Sequence, residues 1–352
     1  MLKRVLIAYH QFPPLMDYLK IAFEKRGIEV KTFVMETNHW FDRFIIHNVD
    51  KQLWNLKLLA KGKSAFDNHP LSHLRYRSEL IENLVDSFKP DLFLLIRGWR
   101  ITEQSIKNIR RKTKVMGWWI EKEDKFDSVL DEIAFYDHFF AISSNSVDTA
   151  IAHGHKNTSL MYQAVDSSLF RPIDDIKPVY DCCFVGGWSD KRQRIIEQAV
   201  SLTEKVAIYG PRWRKNNSGN PKMLNSIKAD FIESEELVKL YNRSKIVLNS
   251  TNWGDGSTRG GMTLRVFEAP ACGAFLLSDE SGDIEKILPQ NTHIGVYKDL
   301  EDFRNKLSYY LSNEAERKEI ALNAYNQVVT HHTYDNVVEN IITSYSNLCN
   351  LP

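Results

Sequence analysis

Short apolar runs alternate with amphipathic stretches along the first half of the chain. Continuous apolar runs at 5–9, 30–35, 92–96, 115–120 and 139–142 are typical of strands buried on both faces. The stretches between them space their apolar residues as helices do, for example at 15–26 and 74–88. Strands that alternate with helices predict an α/β fold with a doubly wound parallel sheet.

An extended polar stretch at 161–175 interrupts this alternation and predicts a linker. The pattern then restarts, with strands predicted at 181–185, 206–209 and 246–249 and helices at 192–202, 303–311, 314–329 and 334–348. We therefore expect two Rossmann-like domains, at 1–172 and 173–333, followed by a C-terminal segment at 334–352. Two α/β domains face each other across a cleft, and ligands bind where the strands end.

The composition agrees with two globular domains. The chain has 352 residues, 43% of them hydrophobic and 26% charged, whereas a single core stops growing near about 250–300 residues. A net charge of +1 does not demand a nucleic-acid partner. The four cysteines lack metal-ligand spacing, so a reducing, cytoplasmic setting is expected. No apolar run is long enough to predict a transmembrane segment.

A glycine-rich loop at 254–261 precedes a short predicted helix and a strand at 274–278. Free backbone N–H groups and a helix N-terminus favour an anion, most simply a phosphate. Arg265 lies in the first turn of the helix and Glu268 on the same face. A cation and a carboxylate so placed suit the phosphate and the ribose of a nucleotide. The alternative is an ion pair on the surface of an ordinary αβ unit.

A second candidate phosphate site follows the strand predicted at 181–185. Gly186 and Gly187 allow close backbone approach, and Arg192 and Arg194 begin the next helix. Spacing does not separate the two arginines. The sequence lacks both the six-residue dinucleotide fingerprint and a Walker lysine, and the alternative here is a glycine turn before a solvated basic helix.

Three carboxylates follow the strand predicted at 115–120, namely Glu121, Glu123 and Asp124. At the carboxyl end of a strand they could take a proton from a hydroxyl nucleophile, or two of them could hold a divalent ion. The alternative is a charged, solvated loop. His10, just after the first strand, could also act in the cleft, although a lone histidine in a loop is more often structural.

Basic and aromatic residues alternate at 97–114 and at 212–215. Either stretch could contact nucleic acid, because bases stack on aromatic rings and cations follow the phosphate backbone. The ordinary interpretation is a solvated face or the rim of an acceptor site.

The glycine pair with its arginines, the segment 263–268 and the segment 272–274 together resemble the spore-maturation-type glycosyltransferases of the GT-B fold. The pattern is also similar to that of the T-even phage DNA β-glucosyltransferase, of the same structural group. The resemblance is strongest over about 180–290. It implies a GT-B architecture, in which two Rossmann-like domains face a cleft and the final helix crosses back onto the first domain.

The resemblance also implies residue roles. Arg265 would bind the diphosphate of a nucleotide-sugar donor, most simply a UDP-sugar, and Glu268 would bind its ribose hydroxyls. Arg192 or Arg194 would bind the phosphates from the other side. Glu121 would be the general base of an inverting displacement, with Asp124 as the reserve candidate. The remaining donor-binding residues that it implies are Gly186, Gly187, Tyr209, Gly261, Met262, Thr263 and Leu264.

Retaining relatives carry a second glutamate eight positions before the ribose-binding one, where this chain has Gly260. No tightly bound cofactor is expected, and a divalent metal is allowed but not required. The acceptor is open between a glycan, a protein, a lipid-linked glycan and DNA, and so is the oligomeric state. Alternative functions are glycosylation of DNA bases, nucleotide-sugar epimerisation and nucleotide-sugar binding without catalysis.

Overall fold

The computed structural model describes residues 1–10, 14–61, 63–96, 101–121, 123–251 and 262–350. Its first half forms a six-stranded parallel sheet in the order β2-β1-β3-β4-β5-β6. The strands are β1 (Arg4–Tyr9), β2 (Glu29–Val34), β3 (Leu92–Ile96), β4 (Lys114–Trp119), β5 (His138–Ala141) and β6 (Thr158–Leu160). The direction of strand addition reverses between β1 and β3.

The second half forms another six-stranded parallel sheet, in the order β12-β11-β10-β7-β8-β9. Its strands are β7 (Tyr180–Val185), β8 (Val206–Tyr209), β9 (Ile227–Ala229), β10 (Ser244–Leu248), β11 (Phe275–Asp279) and β12 (Gly295–Tyr297). This is the strand order of a Rossmann fold, with its reversal between β7 and β10. The predicted α/β class with two doubly wound sheets is confirmed.

Helices cover both sheets. Those of the first half are α1 (Leu15–Glu24), α2 (His47–Asn55), α3 (His73–Phe88), α4 (Glu103–Arg110), α5 (Leu130–Ile133) and α6 (Ser144–Ala152), with a π-helix at Asp42–Ile46 and a 3-10 helix at Glu123–Ser128. Those of the second half are α7 (Asp190–Leu202), α8 (Trp213–Asn216), α9 (Pro221–Ser226), α10 (Ser234–Asn242), α11 (Arg265–Ala271), α12 (Gly282–Ile287), α13 (Leu300–Ser312), α14 (Glu314–His331) and α15 (Tyr334–Asn350). Within the described part of the chain, none of these helices combines the length and apolar character needed to cross a bilayer.

Each sheet is buried on both faces, which explains its continuous apolar strands. In β1, Val5 and Ile7 pack into the core on one face, whereas Leu6 and Ala8 pack into the core on the other. Successive side chains of a strand point to opposite faces, so a strand between two helical layers needs apolar residues at every position.

The predicted elements agree with the structure to within a few residues, but several other short elements were missed. The missed elements share lengths of three to nine residues and include β6, β9, β12, α2, α8, α9, α10 and α12. Three residues of strand or one turn of helix are too few to show a hydrophobic period, and tertiary packing defines these elements instead.

The short helix α11 ends soon after Pro270, which lies in its last turn. Proline lacks an N–H group and disfavours continuation of a helix. Gly273 then adopts a positive φ of 71° and turns the chain into β11. These two residues define the short connection from α11 to β11, next to the first candidate phosphate site.

The last helix, α15, packs against the first domain. Val337, Val338 and Ile341 are buried in the same core cluster as Leu19 and Phe23 of α1. The chain therefore returns from the second sheet to the first after α14. The proposed domain limits at 172 and 333 remain predictions.

Asp283 of α12 links the second domain to the first. Its carboxylate accepts hydrogen bonds from the backbone N–H of Ser144, at 3.0 Å, and from the Ser144 hydroxyl. Lys286 donates to the same hydroxyl at 2.6 Å. Asp283 is 1% exposed. Since the first N–H groups of a helix lack partners within the helix, Asp283 completes α6 across the domain boundary.

We expect Asp283→Asn to lower the free energy of unfolding by about 1–3 kcal/mol, because an amide cannot accept both hydrogen bonds as the carboxylate does. Urea denaturation followed by circular dichroism measures the loss, and small-angle X-ray scattering should show a larger radius of gyration. Glu285→Gln, at an exposed position of the same helix, is the matched control. An equal loss in the control would contradict an interdomain role for Asp283.

Candidate active site

The candidate site lies where the strand order of the second sheet reverses. Neighbouring strands β7 and β10 both end there, and their connections leave in opposite directions. Open α/β sheets bind ligands at such a point, beyond the carboxyl ends of the strands. Gly186 and Gly187 follow β7, and Asn249 follows β10.

Arg265, the first residue of α11, turns its side chain into this crevice. Its guanidinium donates hydrogen bonds to the Val185 carbonyl and to Oδ1 of Asn249, so it joins the ends of β7 and β10. Arg265 is 7% exposed. The interpretation of Arg265 as half of a surface ion pair is therefore wrong.

Arg192 of α7 lies beside Arg265. Its Nη1 atom donates to the Gly187 carbonyl at 2.8 Å and its Nη2 atom to the Ser250 carbonyl at 3.3 Å. The guanidinium carbons of Arg192 and Arg265 lie 5.5 and 4.9 Å from the ring centroid of Phe184. Both cations are thus held against one aromatic ring at the ends of the strands.

Gly186 leaves room for both guanidinium groups. A Cβ atom at that position would lie 3.2 Å from Nη2 of Arg265 and 3.3 Å from Nη1 of Arg192. A larger residue would therefore push against both guanidinium groups.

The two arginines concentrate positive charge in a partly dehydrated place. Burial, together with the charge of Arg265, lowers the pKa of Arg192 to about 10. The Nε atoms of both side chains are buried and have no hydrogen-bond partner among the described residues. The nearby carboxylate of Asp279 is engaged by Lys191, at 2.6 Å. This balance of charge favours a bound anion.

Glu268 lies one helical turn after Arg265 and faces the interdomain cleft. Burial raises its pKa to about 7, against the opposing effects of the Arg265 charge and a hydrogen bond from Tyr241. The carboxyl group therefore changes charge near neutral pH. It is a hydrogen-bond acceptor when ionised and also a donor when protonated.

A cavity of about 280 Å³ lies between the domains and reaches Glu268. Its walls are mostly apolar or aromatic, as in small-molecule sites. The first domain contributes Leu15, Tyr18 and Ile120, and the second contributes Gly186, Tyr209, Phe231, Leu237 and Leu264.

Other predicted donor-site residues occupy different positions around the crevice. The hydroxyl of Thr263 donates to Oδ1 of Asn249 at 3.0 Å. Met262 is 4% exposed and belongs to the second-domain core, so its side chain is not available to a ligand. Gly261 lies outside the described residues, as does the rest of the glycine-rich loop at 254–261.

The structure distinguishes Arg192 from Arg194, which their spacing in the sequence did not. Arg192 points to the strand ends, whereas Arg194 is exposed on α7. Residues two apart in a helix do not share a face, so only one of them can reach the crevice.

The candidate acids follow β4 in the first domain. Glu121 comes directly after Ile120, which lines the cavity, and the Glu121 side chain is 21% exposed. Lys125 lies 3.9 Å from its carboxylate. Glu123 instead accepts a hydrogen bond from the Ser143 hydroxyl, and Asp124 is exposed. Of the three acids, Glu121 is adjacent to the cavity wall.

His10 lies at the carboxyl end of β1, is buried, and pairs through Nδ1 with Glu36. The sequence analysis did not identify Glu36 as its partner. It also missed Asn249, Asp279 and Lys191 of the crevice. Glu36, Asn249 and Asp279 all stand at or just after the carboxyl end of a strand, and this shared position is the signal that could have found them.

Metal ligands are not clustered in the part of the chain that the structure describes. Within those ranges no group of three or more His, Cys, Asp or Glu side chains could hold a metal ion. The expectation that the reaction needs no metal remains a prediction.

The chain is similar to known glycosyltransferases in part of its sequence and in its fold. Residues 191–343 match a family model described as glycosyl transferase-like. A glycosyltransferase from Rickettsia africae superposes with a TM-score of 0.66 at 12% identity, over 99% of both chains. Anabaena HepE, solved in complex with UDP and glucose, superposes with a TM-score of 0.65 at 10% identity, over 98% of this chain and 100% of its own.

In its fold, and in the match over residues 191–343, this chain is similar to the glycosyltransferases of the GT-B fold. It is a distant homologue of spore protein CgeB of Bacillus subtilis. The two are 24% identical over 266 residues, which cover 71% of this chain and 81% of CgeB. The predicted enzyme class and the predicted family resemblance are confirmed.

The raised pKa of Glu268 predicts a pH-dependent stability. Because its folded pKa of about 7 exceeds the ordinary value of 4.5, its contribution favours folding below pH 4.5 and is lost as the pH rises through 7. We expect Glu268→Gln to be more stable than the parent at pH 8, by about 1–3 kcal/mol after allowing for partial solvent screening. The difference should shrink toward pH 5.

Urea unfolding measured across this pH range tests the expectation. Glu204→Gln, which replaces an exposed carboxylate, is the matched control and should leave the profile unchanged. A constant difference between Glu268→Gln and the parent at every pH would contradict the raised pKa.

Proposed function

We propose that this protein transfers a sugar from a nucleoside diphosphate donor to a hydroxyl acceptor, and that the donor is a UDP-sugar. The observation that carries the proposal is the pair of adjacent guanidinium groups, Arg192 and Arg265, in the crevice of the second sheet. Their charges are partly dehydrated, and a diphosphate would compensate them. The likeness of the fold to Anabaena HepE, solved with UDP and glucose, supports uracil as the base.

The donor would extend from this crevice into the interdomain cavity. Arg265 and Arg192 would bind the diphosphate, and the ionised Glu268 would accept hydrogen bonds from the ribose hydroxyls. The base would lie among apolar and aromatic walls near Tyr209 and Phe231. With the donor bound in this way, the transferred sugar would lie on the side of the first domain.

Departure of the nucleoside diphosphate builds negative charge as the glycosidic bond breaks. Arg192 and Arg265 are already oriented by backbone carbonyls and would stabilise that charge, so a metal ion is not required. Across the cleft Glu121 would accept the proton of the acceptor hydroxyl. Attack from the face opposite the leaving group gives an inverting displacement. Contact between the domains would keep water from the donor.

The proposed donor site predicts selective effects of arginine substitution. Arg192→Ala and Glu268→Ala should each weaken binding of UDP or a UDP-sugar by about 10–100-fold, because each removes a hydrogen bond to or from a charged group. Arg194→Ala, two residues along the same helix, should bind as the parent does. Isothermal titration calorimetry with a panel of nucleotides and nucleotide sugars measures these affinities and identifies the base.

Circular dichroism of each variant controls for folding, since Arg192 also bonds to the backbone. If no nucleotide or nucleotide sugar binds the parent protein, the proposed donor site is wrong. If Arg194→Ala weakens binding and Arg192→Ala does not, the assignment of the diphosphate to Arg192 is wrong.

If Glu121 is the general base, its substitution should slow the transfer reaction without changing donor binding. We expect Glu121→Gln to lower the turnover rate by about 10²–10⁴-fold with an unchanged donor affinity, because Glu121 lies in the opposite domain. Asp124→Asn should keep most of the activity. Release of nucleoside diphosphate is measured with and without acceptors, and proton NMR of the product determines the anomeric configuration.

The same measurements distinguish sugar transfer from the three alternative functions. Donor turnover without any acceptor would indicate an epimerase. Donor binding with no turnover in any acceptor panel would favour a non-catalytic binding protein. Transfer to DNA, with binding that falls steeply as salt rises, would indicate a DNA-base glycosyltransferase.

A further inference from the structure

The segment at 38–63, between β2 and α3, carries many exposed apolar side chains. It contains the π-helix and α2, and we call it the basic–apolar surface. Its exposed apolar residues are Trp40 (62%), Phe44 (59%), Ile45 (44%), Val49 (37%), Leu56 (68%) and Leu58 (72%). Scattered single apolar residues are normal on a protein surface, but six within nineteen positions form a patch that calls for a partner.

The two carboxylates of this segment point inward. Asp42 is 6% exposed and accepts a hydrogen bond from the backbone N–H of His73 at 2.9 Å. Asp50 is 3% exposed and accepts one from the backbone N–H of Ala65 at 3.0 Å. These bonds anchor the segment to the chain that leads into α3 and hold its opposite side toward solvent.

The charges that remain exposed on this segment are all positive. Once Asp42 and Asp50 are buried, the exposed charged residues within 38–63 are Arg43, Lys51, Lys57, Lys61 and Lys63. The whole chain has a net charge of only +1, so this surface is far more basic than the protein as a whole. Apolar residues interspersed with lysine and arginine are the pattern of a helix that lies in a bilayer interface.

The basic–apolar surface also has a defined position in the fold. It begins directly after β2, at the carboxyl ends of the strands of the first sheet. Those ends face the interdomain cleft, where Ile120 and Leu15 line the cavity. The surface therefore lies on the domain expected to receive the acceptor.

We propose that the basic–apolar surface binds an anionic lipid bilayer, with its apolar side chains in the headgroup region and its cations against lipid phosphates. A second copy of the chain fits less well, because a twofold interface would bring five cations of one copy toward five of the other. The proposal does not depend on the proposed donor site, since it uses none of the donor-site residues.

Co-sedimentation with vesicles tests this proposal on the full chain. The probes are phosphatidylcholine vesicles and vesicles in which about a third of the lipid is phosphatidylglycerol, at about 0.1 M and about 0.5 M salt. We expect binding to the anionic vesicles alone and weaker binding at the higher salt. Lys51→Glu combined with Lys57→Glu should reduce the partition coefficient at least about tenfold.

Phe44→Ser combined with Leu58→Ser should also release the protein from the vesicles. The matched controls are Lys222→Glu and Leu322→Ser, at exposed positions of the second domain, and both should bind as the parent does. All four substituted sites are exposed, and circular dichroism verifies that the variants fold. Titration with UDP-sugar, expected to be unchanged in every variant, keeps this test separate from that of the donor site.

Three results would overturn the proposal. The parent protein could stay in the supernatant with both kinds of vesicle. It could bind neutral and anionic vesicles equally, with no effect of the lysine variants. Sedimentation velocity could instead show a dimer that dissociates on Phe44→Ser and does not bind vesicles, which would assign the surface to a second copy.

Discussion

Two like charges held side by side at the ends of parallel strands constrain the rest of the second domain. Arg265 joins β7 to β10, and Arg192 bonds to the backbone just beyond each of those strands. Glycine at position 186 leaves room for the arrangement, since a Cβ atom there would press closely on both guanidinium groups. The two guanidinium groups also repel each other, because little water is present to screen their charges. A bound anion would reduce that repulsion, so the contacts that order the strand ends also favour an anionic ligand.

The function of the site depends on how the two domains are joined. Glu121 and Tyr18 belong to the first domain, whereas Glu268, Arg192 and Arg265 belong to the second. Two sets of contacts connect the domains. Asp283 completes helix α6 from across the boundary, and α15 packs on α1. Asp283 is not part of the cavity wall, whereas Tyr334, the first residue of α15, lines the cavity. The contact made by Asp283 can therefore be altered by mutation without replacing a residue of the candidate site.

The sequence was sufficient for the fold class, because buried strands leave a regular pattern. It also pointed to Arg265 and Glu268 of the candidate site, because the two residues lie one helical turn apart. It was insufficient where the result depends on orientation. The sequence does not distinguish Arg192 from Arg194. The orientation of α7 about its axis places Arg192 in the crevice and Arg194 in solvent. Met262 appeared to belong to the site and is buried in the core. His10 acquires its partner Glu36 through the pairing of β1 with β2, a contact between residues distant in the chain.

The return of α15 to the first sheet has a consequence for the order of folding. Domains usually complete their folding one after another as the chain is synthesised. Here the core that contains β1 also contains Val337, Val338 and Ile341, which leave the ribosome after the entire second sheet. Until then, one face of the first domain exposes apolar surface that only α15 covers. The two domains are therefore expected to reach their native state together, after residues 334–350 have emerged, and a chaperone would find its binding surface on the half of the protein that was made first.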